Sequence, residues 1–208
     1  MPDGPRPPLV PRPEDLPGGA GTVRPIRLHP DPVLRAICAA AGELKYPELR
    51  ALVADLFATL YAAGGRGLAA PQIGVTRRVF VMDAGWKDGI PAPLAVIEPQ
   101  IVSRSRRTNI APEQCLSIPD HPVRVRRPAE IRLAFFDLAG NACELALEGA
   151  AARIAQHELD HLDGILILDA DPALRPDPLP GKAPVVAGKT ARLVARARAG
   201  RPPPRLRA

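Results

Sequence analysis

The sequence predicts an α+β fold in which short antiparallel strands pack around a central helix, and three observations carry that prediction. Tyr46 to Ala63 places Leu49, Leu52, Val53, Leu56, Phe57 and Leu60 at helical spacing. Gly149 to Leu162 (GAAARIAQHELDHL) is alanine-rich with the same periodicity, a second helix. Between them lie short apolar or alternating runs separated by turn residues, which read as strands. Helix, several strands, then helix is the order of an α+β domain and differs from the alternation that builds parallel sheets.

Taken along the chain, residues 1–24 hold seven prolines and no apolar period, so a disordered or loosely draped leader is expected. The first helix ends at the pair Gly64–Gly65. Arg78 to Asp83 (RVFVMD) reads as a buried strand, as do PLAVIE and Glu130 to Asp137 (EIRLAFFD). Asp137 to Asn141 is a turn, and NACELALE alternates like a strand returning from it. The compact body is thus expected over residues 25–169, long enough to bury a core. Residues 170–208 form a basic tail rich in proline, alanine and arginine.

Charge belongs to that tail. Its nine basic residues face only Asp171 and Asp177, a balance of +7 in a chain whose total is +6, so the rest comes to −1. No run reaches the ~18 apolar residues of a membrane helix, and the first residues show no secretory signal. Three cysteines are too few for a disulfide framework, so a reducing, cytoplasmic address is expected.

The chemistry is concentrated in His157-Glu158-Leu159-Asp160-His161. Histidines four apart share one helical face and can reach one metal, while Glu158 beside the first can take a proton from a water held there. The other reading is a helix with two incidental histidines, which is poorly favoured because the chain has only four. Metallopeptidases with this helix draw a third ligand from a downstream histidine or glutamate, and none follows His161. Asp163, Asp169 or Asp171 lack a supporting motif, which leaves His29, His121 and the cysteines upstream as candidates.

That upstream search reaches Glu113-Gln114-Cys115-Leu116-Ser117, and here the sequence resembles the peptide deformylases. Three blocks occur in that family's order: Gly65 to Gly74 (GRGLAAPQIG), EQCLS, and Gln156 to Gly164 (QHELDHLDG). RLHPDPVLR at Arg27–Arg35 and EGAAARIAQ before the third block fit as well. The resemblance covers about residues 25–169 and implies a peptide-deformylase-like fold. It implies that Cys115 joins His157 and His161 as metal ligands, with a fourth position open for catalysis. The family's metal is commonly Fe2+, with Zn2+, Ni2+ or Co2+ able to replace it. The residues alone suggest zinc.

The implied reaction removes the N-formyl group from the initiator methionine of nascent polypeptides and releases formate. Glu158 is the implied base, and Gln72 with the backbone N–H of Leu116 the oxyanion donors. Gly65, Arg66, Gly67, Glu113, Gln114 and Ile154 fall on the implied substrate side, where the glycine turn lets backbone groups pair with an extended peptide. Asp160 is expected to pair with Arg127. Arg153 is either an ion-pair partner or a substrate contact.

Several positions depart from the family pattern. Arg66 stands where an aliphatic residue is common, Gln114 where glycine is, and Ala150 and Ala151 where bulkier residues are. Asp120, Ala170 and Glu98 also differ. Arg66 is expected either to pair with Glu113 or to point into the methionine slot and polarise it.

Three other readings compete: a peptidase of the HExxH kind, a deformylase relative that binds metal or ribosomes without turnover, and an RNA-binding protein acting through its tail. The absent downstream ligand argues against the first, and the intact Gln72, Cys115, Glu158 and histidines argue against the second. No aromatics interleave the tail's cations to stack bases, which argues against the third. A tail that brings the enzyme to the ribosome remains a compatible partner reading, with no DNA or membrane partner expected.

Overall fold

In the computed structural model, residues 9–170 are described. The first helix, α1, spans Tyr46–Ala62 and the second, α2, Gly149–Leu162, both within a residue of the expected bounds. Seven strands lie between them: β1 Gly67–Ala69, β2 Val79–Met82, β3 Leu94–Arg104, β4 Thr108–Cys115, β5 Ile118–Pro128, β6 Glu130–Phe136 and β7 Ala142–Glu148. Five form one antiparallel sheet in the order β1-β2-β3-β6-β7, and β4 with β5 form a separate two-stranded ribbon.

Apolar periodicity accounts for the core. Leu49, Leu52, Val53, Leu56, Phe57 and Leu60 of α1 are all buried, packing with Leu68, Val79, Val81 and Ile97. Each such side chain contributes roughly 1.5–3 kcal/mol on burial. On α2, Ala152, Ala155 and Leu162 pack with Phe80, Val96, Leu133 and Phe135 of the sheet. Alanines on this face let the helix approach closely, so its histidines sit inside the molecule.

The ribbon is the part the pattern of the sequence conceals. Pro112 interrupts β4, and Pro119, Pro122 and Pro128 lie within β5, residues that argue against a central strand. A two-stranded ribbon has only edge strands, so a missing N–H can face outward without loss. Beneath it, Cys115, Ile118, Val123 and Val125 join Leu34, Leu166 and Ile167 in a third apolar cluster.

Over residues 9–24 the leader is largely irregular and lies against α1. Leu16 is buried in the main core. The Thr22 N–H donates to Asp55 (2.8 Å) and the Arg24 N–H to Thr59 (2.9 Å). Gly21 lies so close to α1 that a Cβ there would run into the Ala54 carbonyl. Polar side chains on the outer face of α1 supply these contacts, which an apolar count cannot register. Asp171 to Ala208, where the basic tail falls, lie outside the described residues.

Candidate metal centre and active site

α2 carries His157 and His161 one turn apart, and the end of β4 brings Cys115 against them. Their ligand atoms all lie within 4.8 Å of one another. Cys115 Sγ is 3.2 Å from His161 Nε2, close to the ~3.5 Å edge expected of a tetrahedral N/S site. Of the candidates for the third ligand among the described residues, Cys115 alone is brought to the histidines. Cys38 is buried in the second apolar cluster, where burial pushes its thiol up to about 11. His121 is exposed on β5.

The candidate ligands are oriented from behind. Glu113 Oε2 lies 3.0 Å from His157 Nδ1, which leaves Nε2 for a metal. Glu113 is buried and ringed by cations: Arg127 bonds both of its oxygens (2.7 and 2.9 Å), and Arg153 bonds Oε1 (2.6 Å). Burial opposes its charge, but bonds from Arg127 and His157 win and hold its carboxyl down to about 2. Arg127 reaches on to Asp160 at 2.7 Å, as expected, through a buried guanidinium and not a surface pair. Arg153 is an ion-pair partner that also bonds the Val125 carbonyl and Asn109.

Burial, and then the facing His157, keep His161 well below its ordinary value, the neutral form a metal requires. His157 is pushed up to about 10, burial being outweighed by the Cys115 thiol and the Glu113 carboxylate. Metal uptake therefore displaces a proton. The Cys115 sulfur and two imidazoles, the His157 ring oriented by Glu113, fit a divalent ion. So does Glu158, whose buried Oε2 has no partner among the described residues.

Beside this centre lies a cavity of about 570 Å³. Glu158, Gln72 and Leu116 line it, with Gly65, Arg66, Gly67, Glu113, Gln114 and Ile154. Burial pushes Glu158 up to about 7, close to the working pH of a general base. The Gln72 amide has a defined orientation. Its Oε1 accepts the Ala69 N–H at 2.8 Å, so its NH2 group faces Ser117 Oγ (3.1 Å) and Cys115 Sγ (3.6 Å).

Gly67 has no Cβ because Glu158 occupies that space. A Cβ there would lie 2.8 Å from Glu158 Cγ and Cδ. Gly67→Ala should therefore displace the carboxylate and lower kcat about 100-fold, the typical cost of a 1 Å misplacement. The metal content should stay at the wild-type level. Steady-state kinetics with metal analysis checks this.

Arg66 follows neither expected course. Its guanidinium turns to Asp88 (2.7 and 3.2 Å) and the Ala84 carbonyl, away from Glu113. The physical reason is a prebuilt partner loop, in which the Asp83 carboxylate accepts the N–H groups of Gly85, Trp86 and Ala92. The same loop donates the Trp86 indole N–H to the Gly65 carbonyl (2.8 Å) and the Asp83 N–H to that of Arg66 (2.9 Å). Asp83, Trp86 and Asp88 are thus site-supporting residues missed in the sequence. The short run Asp-Ala-Gly-Trp carried no motif to flag them.

Fold and site together define a metal-dependent hydrolase, with one cysteine and two histidines grouped where they could hold the ion and a buried carboxylate beside them. The polypeptide deformylase family pattern matches residues 23–175. The chain belongs to that family, whose members remove the formyl group from N-terminal formylmethionine. It is 40% identical over 155 residues to the peptide deformylase of Mesorhizobium japonicum, covering 74% of this chain and 88% of that one. The crystal structure of the Thermotoga maritima peptide deformylase superposes with a TM-score of 0.66 at 40% identity, over 72% of this chain and 97% of that one. A Met-Ala-Ser-bound class I type b peptide deformylase from Acinetobacter baumannii gives 0.65 at 30% identity, over 72% and 98%. No helix among the described residues is long and apolar enough to cross a membrane.

Proposed function

We propose that deformylation in this chain runs on Glu158 as proton carrier, Gln72 and the Leu116 N–H as oxyanion donors, and Cys115, His157 and His161 as metal ligands. The observation that carries this reading is that Gln72, Cys115, Leu116, His157 and Glu158 share one cavity wall, with His161 grouped behind it against Cys115 and His157. Cys115, His157 and His161 would hold a divalent ion, Fe2+ by family habit, which would supply Lewis-acid activation of a water and of the formyl group.

Glu158 takes the proton of the attacking water and hands it to the amine nitrogen as the C–N bond breaks. Formate and a free α-amino group are the products. The Gln72 NH2, fixed through Ala69, meets the negative charge that develops on the formyl oxygen. Peptide is held by backbone pairing at the edge strand β1, consistent with the tripeptide that occupies the Acinetobacter enzyme. The methionine side chain faces Ile154, Leu116 and Ile118, and the clasp on Asp88 keeps the Arg66 charge off this apolar wall. Work on nascent chains fits a cytoplasmic setting, and the basic tail would add ribosome attraction.

The test is formate release from formyl-Met-Ala-Ser by anaerobically prepared, iron-loaded protein. Release should stop on chelation and return with Fe2+, Ni2+ or Co2+, whereas acetyl-Met-Ala-Ser should remain uncleaved. A metal-loaded protein that releases no formate would refute the reading.

A further inference from the structure

The ribbon gathers cations that the site does not use. From Arg104 to Arg132 there are seven arginines against Glu113, Asp120 and Glu130, a local excess of +4 where the chain up to residue 169 totals −1. Arg127 and Glu113 spend their charges inward on each other. Arg107 pairs with Glu130, and Arg132 with Glu144. Arg104, Arg106, Arg124 and Arg126 are exposed, and among the described residues none of the four has an acidic partner; only Arg126 makes a bond, a long one to Thr108 (3.4 Å).

Strand alternation sets their arrangement. Val123, Val125 and Arg127 of β5 point inward, so Arg124 and Arg126 share the outer face about 6.8 Å apart. Opposite them on β4 stand Pro112 and Ile110, with Ile110 44% exposed. Arg104 and Arg106 are exposed at the β3–β4 turn, next to the start of β4, where Ser105 and Arg107 bond the start of β6 and its approach. At its other end the face reaches Pro112, Gln114 and Asp120 on the cavity rim.

We propose that the outer face of the β4–β5 ribbon binds the phosphate backbone of double-helical RNA, beside the mouth of the active site. All its cations are arginines, the side chain that grips phosphate through two parallel N–H bonds. No Phe, Tyr or Trp occurs from Arg104 to Arg132, and His121 is the one ring in that stretch, so there is no row of rings for successive bases to stack on and phosphates are the target. Such a contact rests on the proposed function. A nascent chain leaves a particle rich in helical RNA, and a grip on that RNA keeps the cavity near the emerging N-terminus.

The full metal-loaded chain is titrated with a labelled RNA hairpin of about 16 base pairs, across about 50–200 mM salt. One variant carries Arg104→Gln, Arg106→Gln, Arg124→Gln and Arg126→Gln together. A control carries Arg192→Gln, Arg196→Gln, Arg198→Gln and Arg201→Gln. The ribbon variant should bind at least tenfold more weakly, and its log–log salt slope should be shallower by about 3. Its turnover of formyl-Met-Ala-Ser should be unchanged.

Wild-type protein that ignores the hairpin would overturn the proposal. So would a ribbon variant with wild-type affinity and slope, whatever the control does. If that variant instead lost only its turnover of glutamate-rich formyl peptides, the face would serve acidic nascent chains and the RNA assignment would fall. RNA binding lost in the ribbon variant, in a protein without formate release, would keep this surface and reject the proposed function alone.

Discussion

Replacing Glu158 by alanine is expected to lower kcat/KM for formyl-Met-Ala-Ser by about 10²–10⁴, the usual contribution of a positioned proton carrier. Bound metal should be unaffected, because the carboxylate is no ligand. The acid side of the pH profile belongs to the same group. Burial holds Glu158 up to about 7, and a neighbouring divalent ion draws that value down. Wild-type kcat/KM should therefore fall below a pKa under 7, and the residual rate of the variant should lack that limb.

Stability should move differently. Glu158 Oε2 is buried with no hydrogen-bond partner among the described residues, an arrangement that costs about 1–3 kcal/mol. Glu158→Gln should thus unfold at a denaturant concentration no lower than wild type while its rate collapses. A variant that lost stability and activity in parallel would mean that the residue acts by holding the fold.

Glu113→Ala is the second large effect, and it acts through stability and metal together. Removing the carboxylate strips Arg127 and Arg153 of their shared buried partner, a change that costs about 3–5 kcal/mol in such settings. His157 loses the acceptor at Nδ1 as well, which should weaken Co2+ or Ni2+ binding about 10–100-fold. Urea unfolding and a spectroscopic metal titration read the two separately. The wild type should show the matching pH dependence. The Glu113 carboxyl is held down to about 2 from an ordinary 4.5. Its stabilisation is complete above the unfolded value and is lost as pH falls from there through about 2. Glu113→Ala should have a flatter stability curve over that window.

What could be read in the sequence follows from how local each signal is. α2 is legible to the residue because helical spacing, alanines and the HELDH motif agree on one segment. The ligand set was legible only through three separate blocks, since nothing local says that Cys115 meets His161. The network behind the ligands was half legible. The Asp160–Arg127 pair is readable from the sequence, whereas the bonds from Glu113 to Arg127, Arg153 and His157 are not, because these partners lie 14 to 44 residues away. Arg66 went astray for the same reason, its partner Asp88 standing on a loop without a motif. β4 and β5 were hidden by prolines, which only an edge ribbon tolerates.

The leader offers a different kind of consequence. Residues 9–22 precede the segment that matches the family, yet they are tied to α1 by the Leu16 side chain and the Thr22 amide. A strap of this sort acts as a splint on the helix beneath it. Amide protons along Ala54 to Thr59 should exchange more slowly with deuterium than those of an α1 stripped of residues 1–22. The splint also covers the helix that leads into the Gly64–Gly67 turn. A segment that precedes the matched residues can in this way govern how rigidly a catalytic loop is mounted.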